Sequence, residues 1–147
     1  MIRSIIRPMD EKAVAEYITK TFPDVETTEA YGYIFFFFKS DRMLPFATLI
    51  AANNDYDRIS QLDRPGVFRL NIGVGRKTFE SLFGSTKGAV SAYDYTALDV
   101  LTPHPDYAKQ FFVCVLSPGE ATWEKVRSLL SEAHDIAAKK YRIRSKG

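Results

Sequence analysis

Hydrophobic and polar positions alternate along this chain in two distinct rhythms, and their order predicts the architecture. After Asp10, a good helix N-cap, Val14, Tyr17, Ile18 and Phe22 fall at helical spacing until Pro23 ends the run. A polar link follows, and then YIFFFF at 33–38, aromatic on both faces and therefore expected to be covered on both. Lys39, Ser40, Asp41 and Arg42 form a connection, and 46–52 is a second apolar strand. A third strand alternates cleanly, with Phe68, Leu70 and Ile72 facing in while Arg69 and Asn71 face out.

The rhythm then changes. Phe79, Leu82 and Phe83 mark a two-turn helix stopped by Gly84, and 84–91 is a small-residue loop expected to be mobile. The span 95–101 is a candidate strand and 111–116 a clear one. Ser117-Pro118-Gly119-Glu120 reads as a capping box. From there Val126, Leu129, Leu130, Ala133, Ala137 and Tyr141 trace an apolar stripe along a long helix. Residues 1–8 read as a short strand or a frayed arm. The fold class predicted is α+β: an antiparallel sheet with an N-terminal and a long C-terminal helix packed mainly on one face. One domain is expected over 1–147, with a core of about 9–141 and a tail at 139–147.

Composition narrows the picture. An apolar share of 46% excludes disorder, and 14% aromatics point to a core, and a cleft, built from rings. The lone cysteine, Cys114, cannot form an internal disulfide; in FFVCVL it reads as a buried thiol rather than a nucleophile. No apolar run approaches the roughly 20 residues of a spanning helix, and MIRSIIRP lacks a signal-peptide cleavage site, so a cytoplasmic location is expected.

The net charge is +2, but Lys139, Lys140, Arg142, Arg144 and Lys146 crowd the last nine residues and leave the body net negative. Such a body suits a phosphate backbone poorly, so any nucleic-acid binding is expected to be weak and carried by those five residues.

Candidate chemistry concentrates at 53–75. Asp55, Asp57, Arg58, Asp63 and Arg64 alternate in sign, which suits ion pairs that fix a long loop; the spacing is wrong for a calcium loop. Gly73-Val74-Gly75 opens a helix beside Arg76 and Lys77, either a tight turn with solvated basic residues or a seat for a phosphate or carboxylate. The third glycine of a dinucleotide fingerprint is replaced by Thr78. His104, framed by Pro103 and Pro105, reads as an exposed imidazole that Asp106 or a loop aspartate could orient. His134 reads as a boundary residue beside the last helix's stripe.

Two histidines and one apolar cysteine do not compose a zinc set, and G-x-S-x-G, Walker A and H-E-x-x-H patterns are absent, so no metal or cofactor is expected.

Tyr31-Gly32, Phe38-Lys39, Arg42-Met43 and Phe46-Ala47 are followed by Lys109, Phe111-Phe112 and then Ala133-His134-Asp135 in the closing helix. In this order and spacing, residues 25–141 resemble the MmcQ/YjbR-like family of small bacterial proteins. Phe111-Phe112 stands where that family has His-Trp, and Val113 where it commonly has Asn, so a role carried by that polar pair is absent here. The segment DYDRISQLDRPGVFRLNIGV resembles an uncharacterised bacterial branch more closely. The resemblance implies a CyaY-like, double-wing fold, and DNA binding only by analogy of fold.

Three function classes follow. The first is a non-enzymatic module binding a small ligand or peptide in an aromatic cleft, with Arg58, Arg64 and His104, or Arg76 and Lys77, as polar anchors. The second is a nucleic-acid-associated protein. The third, against which the reading leans, is an enzyme using His104 with a loop aspartate.

Overall fold

Asp10 starts the first helix as its sequence implies: its carboxylate accepts the Ala13 backbone N–H at 2.7 Å, satisfying a donor that a helix start leaves open. Helix α1 runs Glu11–Thr21 and buries Val14 and Ile18, one turn apart. The computed structural model describes residues 9–53, 57–84 and 92–146; the readings placed on 1–8, on Asp55 and on 85–91 lie outside these.

The polar link at 24–30 is a strand, β1 (Val25–Ala30), antiparallel to β2 (Tyr33–Phe38). It hides because it is an edge strand whose middle four residues are exposed, so no apolar alternation marks it; its charges also protect the edge from further pairing. The two-residue connection has positive φ at both positions, 56° at Tyr31 and 82° at Gly32, as a hairpin turn of the right twist requires.

The sheet continues through β3 (Ala47–Ile50), β4 (Arg69–Gly73), β5 (Leu101–Pro103) and β6 (Phe112–Leu116), in the order β1-β2-β3-β4-β6-β5, every neighbouring pair antiparallel. The candidate strand at 95–101 is displaced: only Leu98 bridges to Leu116 before β5 begins at Leu101.

Helices α1, α2 (Arg76–Phe83) and α3 (Trp123–Lys146) cover one face. Phe36, Leu49, Leu70, Ile72, Val113 and Val115 meet the stripe Val126, Leu129, Leu130 and Ala133 there, all at most 1% exposed. His134 is no boundary residue. It is buried, with Nε2 2.8 Å from the Pro23 carbonyl and the rings of Phe22, Phe38 and Phe46 around it.

Both ends of α3 depart from expectation. Asp99, not the Ser117–Glu120 box, caps its start: the carboxylate accepts the backbone N–H groups of Gly119 (2.8 Å), Ala121 (2.9 Å) and Thr122 (3.1 Å) and the Thr122 hydroxyl. Burial works to raise the Asp99 carboxyl, but these donors outweigh it and hold it below its ordinary range. Ser117 is turned away, its backbone in the left-handed region at φ 42° and its amide donating to the Phe68 carbonyl. At the far end the expected tail is helical through Lys146, since Arg144 reaches Asp41 at 2.8 Å and Lys39 lies over the Tyr141 ring.

Arg69 and Asn71 do point away from the helices, yet both are buried, which corrects the outward reading. The chain between β3 and β4 folds back over that second face, placing Leu62 and Val67 against Ile50 and Leu116.

Candidate functional site

Register sets the floor of the site. Phe35, Thr48, Asn71, Cys114 and Thr102 form one row across five strands on the face opposite the helices. Asn71 Nδ2 donates to Thr48 Oγ1 at 2.9 Å, and Asn71 Oδ1 accepts from Cys114 Sγ and Arg69 Nε, each at 3.0 Å. Burial pushes the Cys114 thiol up to about 12, so it stays protonated and donates its S–H to Asn71.

One row further along, Arg69 Nη1 and Nη2 donate to the two oxygens of Asp57 at 3.0 and 2.5 Å, and Nη1 also to Ser60 Oγ. Tyr33 Oη donates to the same carboxylate. Burial would raise the Asp57 carboxyl; the bonds from Arg69 and Tyr33 and the guanidinium charge more than offset it and hold it below its usual range. Among the described residues no buried side-chain nitrogen or oxygen lacks a partner, so this polar floor is complete without a ligand.

Over the floor lies a cavity of about 850 Å³. Tyr33 and Phe35 stack along β2 with centroids 5.5 Å apart and form one wall. Tyr107, Phe112 and His104 cluster at 4.9–6.5 Å and form the other. Phe112 can lie across β4 because residue 73 is glycine; a Cβ there would come 2.9 Å from the ring. Tyr31, Leu44, Asp106 and Gln110 ring the mouth.

His104 corrects the expectation of an exposed imidazole: it is 5% exposed. Pro103 belongs to β5, and the His104 amide bonds to the Phe112 carbonyl, so the residue ends a strand rather than riding on a free turn. Its Nδ1 accepts the backbone N–H groups of Asp106 (3.0 Å) and Tyr107 (3.1 Å), which puts the ring proton on Nε2. Burial, then the Arg69 charge, push its pKa down to about 3 against the pull of Asp57. The ring is therefore neutral at neutral pH and, with Nδ1 held by two backbone donors, turns a donor rather than an acceptor toward the cavity. Among the described residues Nε2 has no hydrogen-bond partner, and on a residue lining the cavity it is a donor.

The other expected anchors lie elsewhere. Arg64 staples its loop, donating to the carbonyls of Gln61, Ser60 and Thr96 at 2.8–3.0 Å. Neither it nor Arg58 is among the lining residues. The seat at the start of α2 is already filled: the Glu132 carboxylate accepts the Gly75 N–H at 2.6 Å and the Thr78 hydroxyl at 2.7 Å. Arg76 pairs with Glu80 on the surface, and Lys77 is exposed beside it. Lys139, Lys140 and Arg142 are exposed on α3, and Lys140 lines a smaller pocket that shares Leu44, Pro45, Gln110 and Phe112 with the main cavity. Among the described residues no three His, Cys, Asp or Glu side chains are placed to hold a metal ion, and no helix is long and apolar enough to cross a membrane.

Arg69, Asn71 and Thr48 were the residues that sequence reasoning missed. The one available signal was an arginine and an asparagine at alternate positions of an otherwise apolar strand, with an aspartate a dozen residues upstream.

Fold and cavity together define an α+β protein with a sealed helical face and an open, ring-walled cavity on the other face of its sheet. The chain belongs to DUF6194, a family of unknown function, whose model matches residues 9–146. It is also similar in fold to the crystal structure of a protein from Pseudomonas syringae. That likeness has 17% identity and a TM-score of 0.56, and covers 88% of this chain and 99% of that one. None of the curated proteins matches the chain.

Proposed function

We propose that this protein is a non-enzymatic binding module that takes one small molecule into the cavity between the Tyr33–Phe35 wall and the Tyr107–Phe112 wall. The observation that carries this reading is the polar floor, whose hydrogen bonds are complete beneath a cavity of about 850 Å³. Ligand sites commonly enclose about 300–1,000 Å³, are mostly apolar, and carry a few convergent polar groups. A floor that needs no rearrangement removes an ordering cost from binding, and the Nε2–H of His104 supplies a directed donor. The reading includes a cytoplasmic location, supported by the single buried cysteine. Kinship with the MmcQ/YjbR-like proteins belongs to it too, supported by the antiparallel sheet and the long closing helix.

A thermal-shift screen over metabolites, nucleotides and peptides tests it, run on the wild type and on Tyr107→Ala. A true ligand at a hundred times its Kd stabilises the folded state by about 2.7 kcal/mol. Tyr107 is 55% exposed, so its removal leaves the fold intact while taking away a wall. Hits that stabilise both proteins equally place the ligand elsewhere and end the reading.

A further inference from the structure

We infer that the ligand of this cavity is a flat organic cation; the inference rests on the binding reading above and adds its chemical class. Charge is the first support. Among the described residues the ionic side chains lining the cavity are Asp57 and Asp106; Lys140 and Arg144 line the smaller neighbouring pocket instead, Arg144 paired with Asp41. Arg69 lies nearest beneath, but its nitrogens already donate to Asp57, Ser60 and Asn71. An anion held between the ring walls would give up water without a free cation among the described lining residues, and would meet the Asp106 carboxylate.

The walls are the second support. Aromatic faces carry the negative part of the ring quadrupole, and stacked rings beside a carboxylate attract an organic cation. Phe35 stands on β2, and Phe112 lies over Gly73 on β4, two strands across and two residues along, so rings border the cavity on both sides. A flat cation can stack its face on either wall.

Tyr31 is the third. It holds a left-handed backbone, φ 56°, in a two-residue turn where Asn, Asp or Gly sits at ease. It does so with 88% of its surface exposed, so no packing in the folded chain accounts for the strain. The ring lines the mouth of the cavity, where a ligand would cover it.

The test compares three probes of one shape and different charge: N-methylquinolinium, quinoline and 2-naphthoate. Each is titrated by NMR into the full chain, into Asp106→Asn and into Tyr31→Asn, two surface changes that keep the fold. The expected result is that N-methylquinolinium binds about tenfold or more tighter than 2-naphthoate. Asp106→Asn should narrow that ratio, and Tyr31→Asn should weaken the cation. Equal or tighter binding of 2-naphthoate or quinoline, still weakened by Tyr31→Asn, overturns the cation and leaves the cavity reading standing. No binding of any probe, or binding that neither substitution changes, overturns both.

Discussion

Arg69 and Asp57 meet in a two-point pair beneath the cavity, the guanidinium 1% and the carboxylate 12% exposed. Such a pair costs several kcal/mol to dehydrate, and only the matched fork geometry and the added bonds to Ser60, Asn71 and Tyr33 make it tolerable.

Breaking the pair from one side is therefore expected to be severe. Arg69→Leu leaves the carboxylate buried without its partner and should cost roughly 3–5 kcal/mol. Adding Asp57→Leu to it should recover much of that loss, because the stranded charge goes too. Urea midpoints of the two variants check this; a single variant as stable as the wild type would show that the pair opens freely to water.

His104 should make stability depend on pH through the mildly acidic range. Its folded pKa of about 3 lies below the unfolded value of about 6.5. Between those values the unfolded chain binds a proton that the folded one does not, so this contribution is whole above about pH 6.5 and declines as pH falls. The loss should be about 2 kcal/mol at pH 5. The depressed Asp57 carboxyl adds its own loss only below the ordinary carboxylate range. His104→Asn keeps an acceptor for the two backbone amides and removes the titration. Urea midpoints at pH 7 and pH 5 should differ much less in this variant; an equal drop in both would assign the effect to other groups.

Asp99 should matter more to α3 than any residue of the Ser117–Glu120 segment. Asp99→Ala frees three backbone donors at the helix start and should cost about 2 kcal/mol, the upper end for a lost cap. Glu120→Ala should cost little. Thermal melts that rank the two the other way would restore the local capping box.

Binding to duplex DNA, if titrated, should be weak and without sequence preference. Arg144 is committed to Asp41, leaving Lys139, Lys140 and Arg142 exposed on the last turns. With Lys146 that makes at most four free charges, a salt slope of about −4 or shallower, and deleting 139–147 should abolish the signal. Tight, selective binding by the truncated chain would contradict this.

What could be read from the sequence was whatever depends on neighbours in the chain. Asp10 and the α3 stripe are local signals, and both elements form where those signals put them. Alternation in β4 correctly separates Leu70 and Ile72 from Arg69 and Asn71. It tells which face a residue takes, and not whether something else covers that face; Leu62 and Val67 arrive from the preceding loop to do so. Asp99 capping a helix two dozen residues on, and β5 carrying His104 into the sheet, are decisions of tertiary structure with no local trace. The aromatic cleft was legible as an excess of rings. Its polar floor was not, because the carboxylate and hydroxyl that hold Arg69 come from a loop, Asp57 and Ser60, brought over it by tertiary structure.

Gly73 and Phe112 share one volume: the ring fills the space that a side chain at 73 would take. The two positions therefore behave as a single dial on the width of the cavity. In this chain a larger residue at 73 would require a smaller one at 112, or would make the ring swing out and narrow the gap.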